Sequence, residues 1–127
     1  MNPKDNFIEE MKARTKKFAV DVILFCDTLT KSKGSSVISY QLIKSATSTG
    51  ANYRAACRER SQSEFFSKIC IVVEESDESV YWLEVIKDAS LSGNQEELTR
   101  LLNEATELTK IMTKSKDTTY RSMNQKN

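Results

Sequence analysis

Four carboxylates, Glu74, Glu75, Asp77 and Glu78, fall in the short run 74–78. Paired carboxylates can divide general-acid and general-base work when their environments push their pKa values apart. That chemistry needs a companion: a nucleophile, a metal-ligand set or an electrophile. None accompanies this run. The sequence contains no histidine, which removes a Ser-His-Asp triad, imidazole acid–base chemistry and a His-based zinc site. The di-iron site of helical bundles also needs histidines beside its glutamates. Cys26, Cys57 and Cys70 are widely spaced, odd in number and each set inside a predicted helix. They read as small buried hydrophobes in a reducing compartment. The sequence therefore assigns no catalytic residue, no cofactor and no metal site, and the chain reads as a non-enzyme.

The cations carry a second kind of chemistry. Arg54, Arg58 and Arg60 cluster near the end of one predicted helix, and Lys12, Arg14, Lys16 and Lys17 form a run on another. Such groups contact phosphates when they share a surface; otherwise they are solvated helix faces. Nineteen basic against 18 acidic residues leave a net charge of +1. That excludes a uniformly basic nucleic-acid binder and leaves room for a local patch. The charge is segregated. Residues 35–73 hold five basic and two acidic residues, a net of +3; residues 74–99 hold eight acidic residues and one lysine, a net of −7; the last 28 residues return to +3. Segregation of this kind pairs oppositely charged subunits or helices, or leaves a positive ring after assembly.

Four helices must position these groups. Apolar residues recur at spacings of three and four in each, which predicts helices over residues 5–31, 36–58, 62–89 and 95–115. Asp5, Ser35 or Ser36, Ser61 and Asn94 are the expected caps, and Ser61 with Glu64 fits a capping box. Gly34 is expected to stop the first helix. The small residues 45–51, with Gly50 and several hydroxyls, weaken the second, so a bend near Thr49 and Gly50 is expected. From about residue 116 the chain is polar, and a flexible tail carrying Lys116, Arg121 and Lys126 is expected. Short loops make an all-α, antiparallel up-down-up-down four-helix bundle the economical architecture, with residues 1–127 as one domain.

The third helix organises the rest. Phe65, Ile69, Val72, Ser76, Val80 and Leu83 share one face. Phe66, Cys70 and Val73 widen it on one flank, while Ile71, Glu75, Trp82 and Ile86 form a strip on another side. A small monomer needs only one buried stripe, so this helix is expected to be covered by its own bundle and again by a partner subunit. Glu75 is expected to be partly buried there and to need a partner, which Asn52, Arg54 or Arg58 can supply. Asn52, Glu75, Glu78 and Trp82 are accordingly structural or interface residues. Tyr81 and Trp82 also have the chemistry of nucleic-acid stacking platforms, though packing surface is the simpler reading of Trp82.

No charged segment followed by an apolar stretch marks a signal peptide, and no apolar run is long enough for a transmembrane helix. A cytoplasmic protein without a membrane partner is expected.

Ser45, Ser48, Ala51-Asn52-Tyr53-Arg54-Ala55, Arg60-Ser61, Glu64-Phe65, Lys68, Glu75, Glu78 and Tyr81-Trp82-Leu83-Glu84 together give the chain a family likeness. It resembles the bacterial four-helix-bundle proteins encoded in intervening sequences of large-subunit ribosomal RNA genes, often labelled ribosomal-protein-like. The resemblance runs from about Phe7 to Met112. It implies an antiparallel four-helix bundle assembled as a homopentamer around a central channel. Similar bundles serve as accessory proteins of diversity-generating retroelements, are strongly basic, bind nucleic acid and associate with a reverse transcriptase. This sequence differs in its near-neutral charge, and Thr49 stands where the family commonly has proline. Two functions follow as expectations: a non-catalytic oligomeric accessory protein binding RNA or DNA, or an oligomeric protein-interaction scaffold that binds no nucleic acid.

Overall fold

The computed structural model describes residues 2–125. Its elements are α1 (Pro3–Cys26), α2 (Lys33–Ala56), α3 (Gln62–Asp88) and α4 (Gln95–Asn124). Helices consecutive in the chain pack side by side, and α4 closes against α1 along the thinnest seam. The α1–α2 and α3–α4 loops meet at one end, where the Thr30 amide bonds the Leu91 carbonyl at 3.4 Å. The fold is the antiparallel up-down bundle that the apolar spacing predicts.

Each helix starts where a side chain satisfies an orphan amide. Ser61 accepts from the Glu64 amide at 3.0 Å and donates to the Glu64 carboxylate at 2.9 Å, so the cap forms as expected but the carboxylate takes the hydroxyl and not the Ser61 amide that a full capping box would engage. Asn94 accepts from the Glu97 amide at 3.1 Å. Two starts differ from expectation. Asn2, not Asp5, caps α1, accepting from the Asp5 amide at 2.8 Å with Pro3 in the first turn, where its missing N–H costs nothing. Ser32, not Ser35 or Ser36, caps α2, and Ser35 returns the bond in a reciprocal box. Gly34 thus sits in the first turn of α2 and stops nothing.

The ends differ further. α1 finishes at Cys26, short of Lys31. The Thr28 hydroxyl bonds the Phe25 carbonyl at 2.6 Å, the amides of Thr28 and Leu29 reach back only three residues, and Leu29 turns into the core. α2 passes through Thr49 and Gly50 unbroken, and the Thr49 hydroxyl bonds the Ser45 carbonyl at 2.8 Å. α4 continues to Asn124, so the tail expected to be flexible from about 116 is helical up to that residue. Tyr120 packs against Phe66 with ring centroids 5.8 Å apart and planes tilted by 38°, and Ser122 accepts from Gln62 at 2.9 Å. Lys126 lies outside the described residues.

The core is built from Met11, Phe18 and Val22 of α1, Leu42, Ala46 and Tyr53 of α2, Ile69, Val72, Leu83 and Ile86 of α3, and Leu98, Leu101, Leu108 and Met112 of α4. Ile86 belongs to this face and not to the secondary strip. Buried hydroxyls are satisfied by backbone and by each other: Ser45 meets Ser79 at 2.8 Å between α2 and α3, and Thr109 donates to Ser76 at 3.0 Å between α4 and α3. Among the described residues no buried side-chain N or O lacks a partner, and no helix is long and apolar enough to cross a membrane.

Candidate functional site

Tyr53 and Ala56 point into the core, so the residues between and beyond them on α2 point out. Arg54 and Arg58 are exposed, one turn apart, and Arg60 is exposed in the turn that follows. None of the three takes part in an ion pair among the described residues. Two of the other arginines are consumed by carboxylates. Arg14 grips Glu104 through two hydrogen bonds of 2.8 Å and reaches Glu107 at 2.7 Å. Arg100 holds Glu97 at 2.7 Å and Asp21 at 3.0 Å.

The lysines of the first basic run divide. Lys12 pairs with Glu9 at 3.1 Å and lies close enough to Cys57 to pull its thiol pKa down, against the larger upward push of burial. It therefore stands beside the arginine end of α2. Lys17 faces the opposite flank, pairing with Asp21 at 2.6 Å next to Arg100. Lys16 is exposed and outside any ion pair among the described residues. The structure places Lys12 near Cys57, just past the end of α2, and Lys17 on the flank that faces α4. Surface pairs such as Lys12–Glu9 are worth little and leave Lys12 available to an incoming phosphate.

A second surface collects the motif residues of α2 and α3. On α2, Lys44, Ser48, Ala51 and Ala55 recur at three and four on the outer face. Asn52 donates both to the Ser48 carbonyl and to its hydroxyl at 2.9 Å. Its amide is thus spent within its own helix and does not serve Glu75. Arg54 and Arg58 do not serve it either, so the expected partner of Glu75 is absent among the described residues. Burial raises the Glu75 pKa, and the neighbouring charges of Glu78 and Glu74 add to that, while Lys44 offsets part of it. Trp82 is half-buried, donates to Glu78 at 3.2 Å and meets Tyr81 edge-on with centroids 4.9 Å apart.

Sequence reasoning missed the cross-helix pairs Arg14–Glu104 and Arg100–Asp21. Their partners lie 90 and 79 positions apart, and no local spacing reports such a meeting. The three cysteines are unbridged, and burial raises the thiol pKa of Cys26 and Cys57. Among the described residues no group of histidine, cysteine or carboxylate side chains is arranged to hold a metal ion.

The architecture defines a four-helix bundle with a packed interior and charged outer helix faces. The family model of the 23S rRNA-intervening sequence protein matches residues 9–114, and the chain belongs to that family. A crystal structure of a protein of unknown function from the S23 ribosomal protein family of Bacteroides thetaiotaomicron is similar to it. The two are 30% identical, with a TM-score of 0.75, over 83% of this chain and 96% of that one. No curated protein matches the sequence significantly.

Proposed function

We propose that this protein is a non-catalytic, cytoplasmic accessory protein that works as a homo-oligomer and binds RNA or DNA. Arg54, Arg58 and Arg60 contact phosphates, with Lys12, near Cys57, and Lys16 as further contacts and Lys17 on the far flank as a peripheral contributor. The observation that carries the reading is the contrast among arginines. Arg14 and Arg100 are locked to carboxylates, whereas the cluster at the end of α2 is exposed and outside every ion pair among the described residues. The family description, tied to 23S rRNA genes, supports the same direction.

Self-assembly is supported by exposed apolar residues. Val20 (47% exposed), Ile23 (39%) and Leu24 (60%) lie together on the outer side of α1, and Val37 (54%) and Tyr40 (64%) on that of α2. A pentamer is the number the family resemblance implies. Those same residues favour the second reading, an oligomeric scaffold whose partner is a protein.

A titration with structured RNA and duplex DNA at two salt concentrations separates the readings. On duplex DNA, log affinity falls with log salt by about 0.9 per phosphate neutralised. Charge reversal at Arg54, Arg58 and Arg60 is expected to flatten that dependence while the oligomer persists. No binding by the intact assembly at low salt removes the nucleic-acid reading and leaves the scaffold.

A further inference from the structure

At the end of the bundle opposite the two loops that meet at Thr30 and Leu91, the start of α1, the end of α2, the start of α3 and the last turns of α4 do not close. They leave a cleft of about 880 Å³. This volume falls within the range of small-molecule sites, roughly 300–1,000 Å³. Its physical origin is a mismatch of lengths. The buried stripe of α4 ends at Met112, yet the helix runs on to Asn124 and leans on α3 through Tyr120 and Ser122. α1 offers only Lys4, Phe7 and Ile8 to the facing side.

The lining is amphiphilic in a specific sense. Phe7, Ile8, Phe65 and Ile111 give an apolar wall, and Lys4, Arg60 and Lys114 stand around it. None of these cations is in an ion pair among the described residues. Glu59 is the single acidic lining residue. An apolar wall ringed by uncompensated positive charge fits a ligand with an alkyl body and an anionic head. Apolar surface inside the cleft removes alkyl surface from water, and a carboxylate at the rim gains charge-assisted hydrogen bonds from ammonium or guanidinium groups.

We propose that this cleft is a binding site for a long-chain carboxylate, its alkyl chain lying against Phe7, Phe65 and Ile111 and its head group held at the rim by Lys4, Lys114 and Arg60. The site is separate from the phosphate-contacting surface, since Arg54, Arg58 and Lys12 do not line it; only Arg60 is common to both.

The test is isothermal titration calorimetry of the full-length chain with dodecanoate, dodecanol and dodecyltrimethylammonium, each below its micelle concentration. Dodecanoate is expected to bind saturably, one per chain, tighter than the alcohol and far tighter than the cation. Lys4→Glu with Lys114→Glu, both exposed positions, is expected to weaken dodecanoate at least about tenfold and leave dodecanol unchanged. Phe7→Ser, at a residue already 41% exposed, is expected to weaken both. Thermal melting confirms that the variants fold. Equal affinity for acid, alcohol and cation, no saturable binding, or dodecanoate binding untouched by the charge reversals would each overturn the proposal. Arg60 is left intact, so the nucleic-acid titration and this one fail independently.

Discussion

Gly50 of α2 rests against Thr15 of α1: a methyl group placed on Gly50 would stand 3.4 Å from the Thr15 carbonyl oxygen and 3.6 Å from its hydroxyl. Gly50 therefore marks where two backbones approach, not where a helix breaks. A single methyl is an ordinary contact at that distance, and alanine gains about 1 kcal/mol of helix propensity over glycine. Gly50→Ala is expected to be neutral or to stabilise by up to about 1 kcal/mol in urea unfolding. Gly50→Val drives branched carbons into the α1 backbone and is expected to cost about 1–3 kcal/mol. Equal tolerance of both would show that α1 yields freely.

Ser90 has φ 54°, the one non-glycine residue with positive φ among the described residues. It closes α3 in a paired motif: its own amide bonds the Lys87 carbonyl at 3.2 Å and the Leu91 amide bonds that of Ile86 at 3.0 Å. A side chain in this left-handed conformation costs about 1–2 kcal/mol relative to glycine. Ser90→Gly is expected to raise stability by about 1 kcal/mol, and Ser90→Val to lower it. A destabilised Ser90→Gly variant would mean the hydroxyl has a role the backbone geometry does not reveal.

The bundle was legible in the sequence because the centres of the stripes at spacings of three and four are the residues that burial selects, even though Ile86 joins the core face and Phe65, Val80 and Leu102 stay partly exposed. Leu98, Leu101, Leu108 and Met112 are all in the core. The caps Ser61 and Asn94 were legible because capping is local chemistry. What escaped was tertiary. Nothing near Cys26 announces an end to α1; it stops because Leu29 finds the core. Nothing in residues 116–124 shows a stripe, yet contacts to Gln62 and Phe66 keep α4 helical there. Of the proposed phosphate contacts, the α2 arginines were recognisable as a cluster. That Lys12 lies near Cys57 while Lys17 pairs with Asp21 on the other flank depends on how α1 is rotated against its neighbours.

Arg14 bridges the α1–α4 seam, the most thinly packed in the bundle, by a two-bond fork to Glu104. Both side chains are only a quarter exposed, at 25% and 24%. Arg14→Ala is expected to cost about 1–2 kcal/mol, and Arg14→Lys to recover little because an ammonium cannot reproduce the fork. The reading is checked by denaturant unfolding beside Glu104→Gln. Full rescue by lysine would reduce the fork to a plain charge contact.

Asp21 and Glu75 carry opposite pH signatures. Burial pushes the Asp21 carboxyl up, but hydrogen bonds from Lys17 and Arg100 outweigh it and hold the pKa below the ordinary value of 3.8. Its folded pKa is depressed, so its stabilisation is present above the unfolded pKa and is lost as pH falls through the folded one. Glu75 is raised above 4.5 by burial and by Glu78. Its folded state prefers the proton, so its contribution is favourable below the unfolded pKa and is lost as pH rises through the folded one. Glu75→Gln is expected to raise the melting temperature at pH 7 and to converge on the parent near pH 4. Asp21→Asn is expected to lower it at pH 7 and to converge at still lower pH. A Glu75→Gln variant less stable at pH 7 would require a cationic partner supplied by another subunit.

Two surfaces are candidates for the proposed self-assembly. Val20, Ile23 and Leu24 expose aliphatic groups on the outer side of α1. Trp82 and Ile71 lie on the outer flank of α3 beside Glu75, which has no ion-pair partner among the described residues and so has room for one from a neighbour. A glutamate introduced at a subunit contact must lose its hydration when the contact forms, so it weakens assembly strongly if buried and hardly at all if solvent-facing. Leu24→Glu and Trp82→Glu therefore read out each face separately by sedimentation velocity at micromolar protein. Leu24 is 60% exposed in the single chain, so its substitution should leave thermal stability of the bundle nearly unchanged. Trp82 packs partly against the core and should cost some stability as well. Dissociation by Trp82→Glu alone places the contact on α2 and α3, where the motif residues cluster; dissociation by Leu24→Glu alone places it on α1. A parent protein that sediments as a stable monomer at that concentration would exclude assembly through either face.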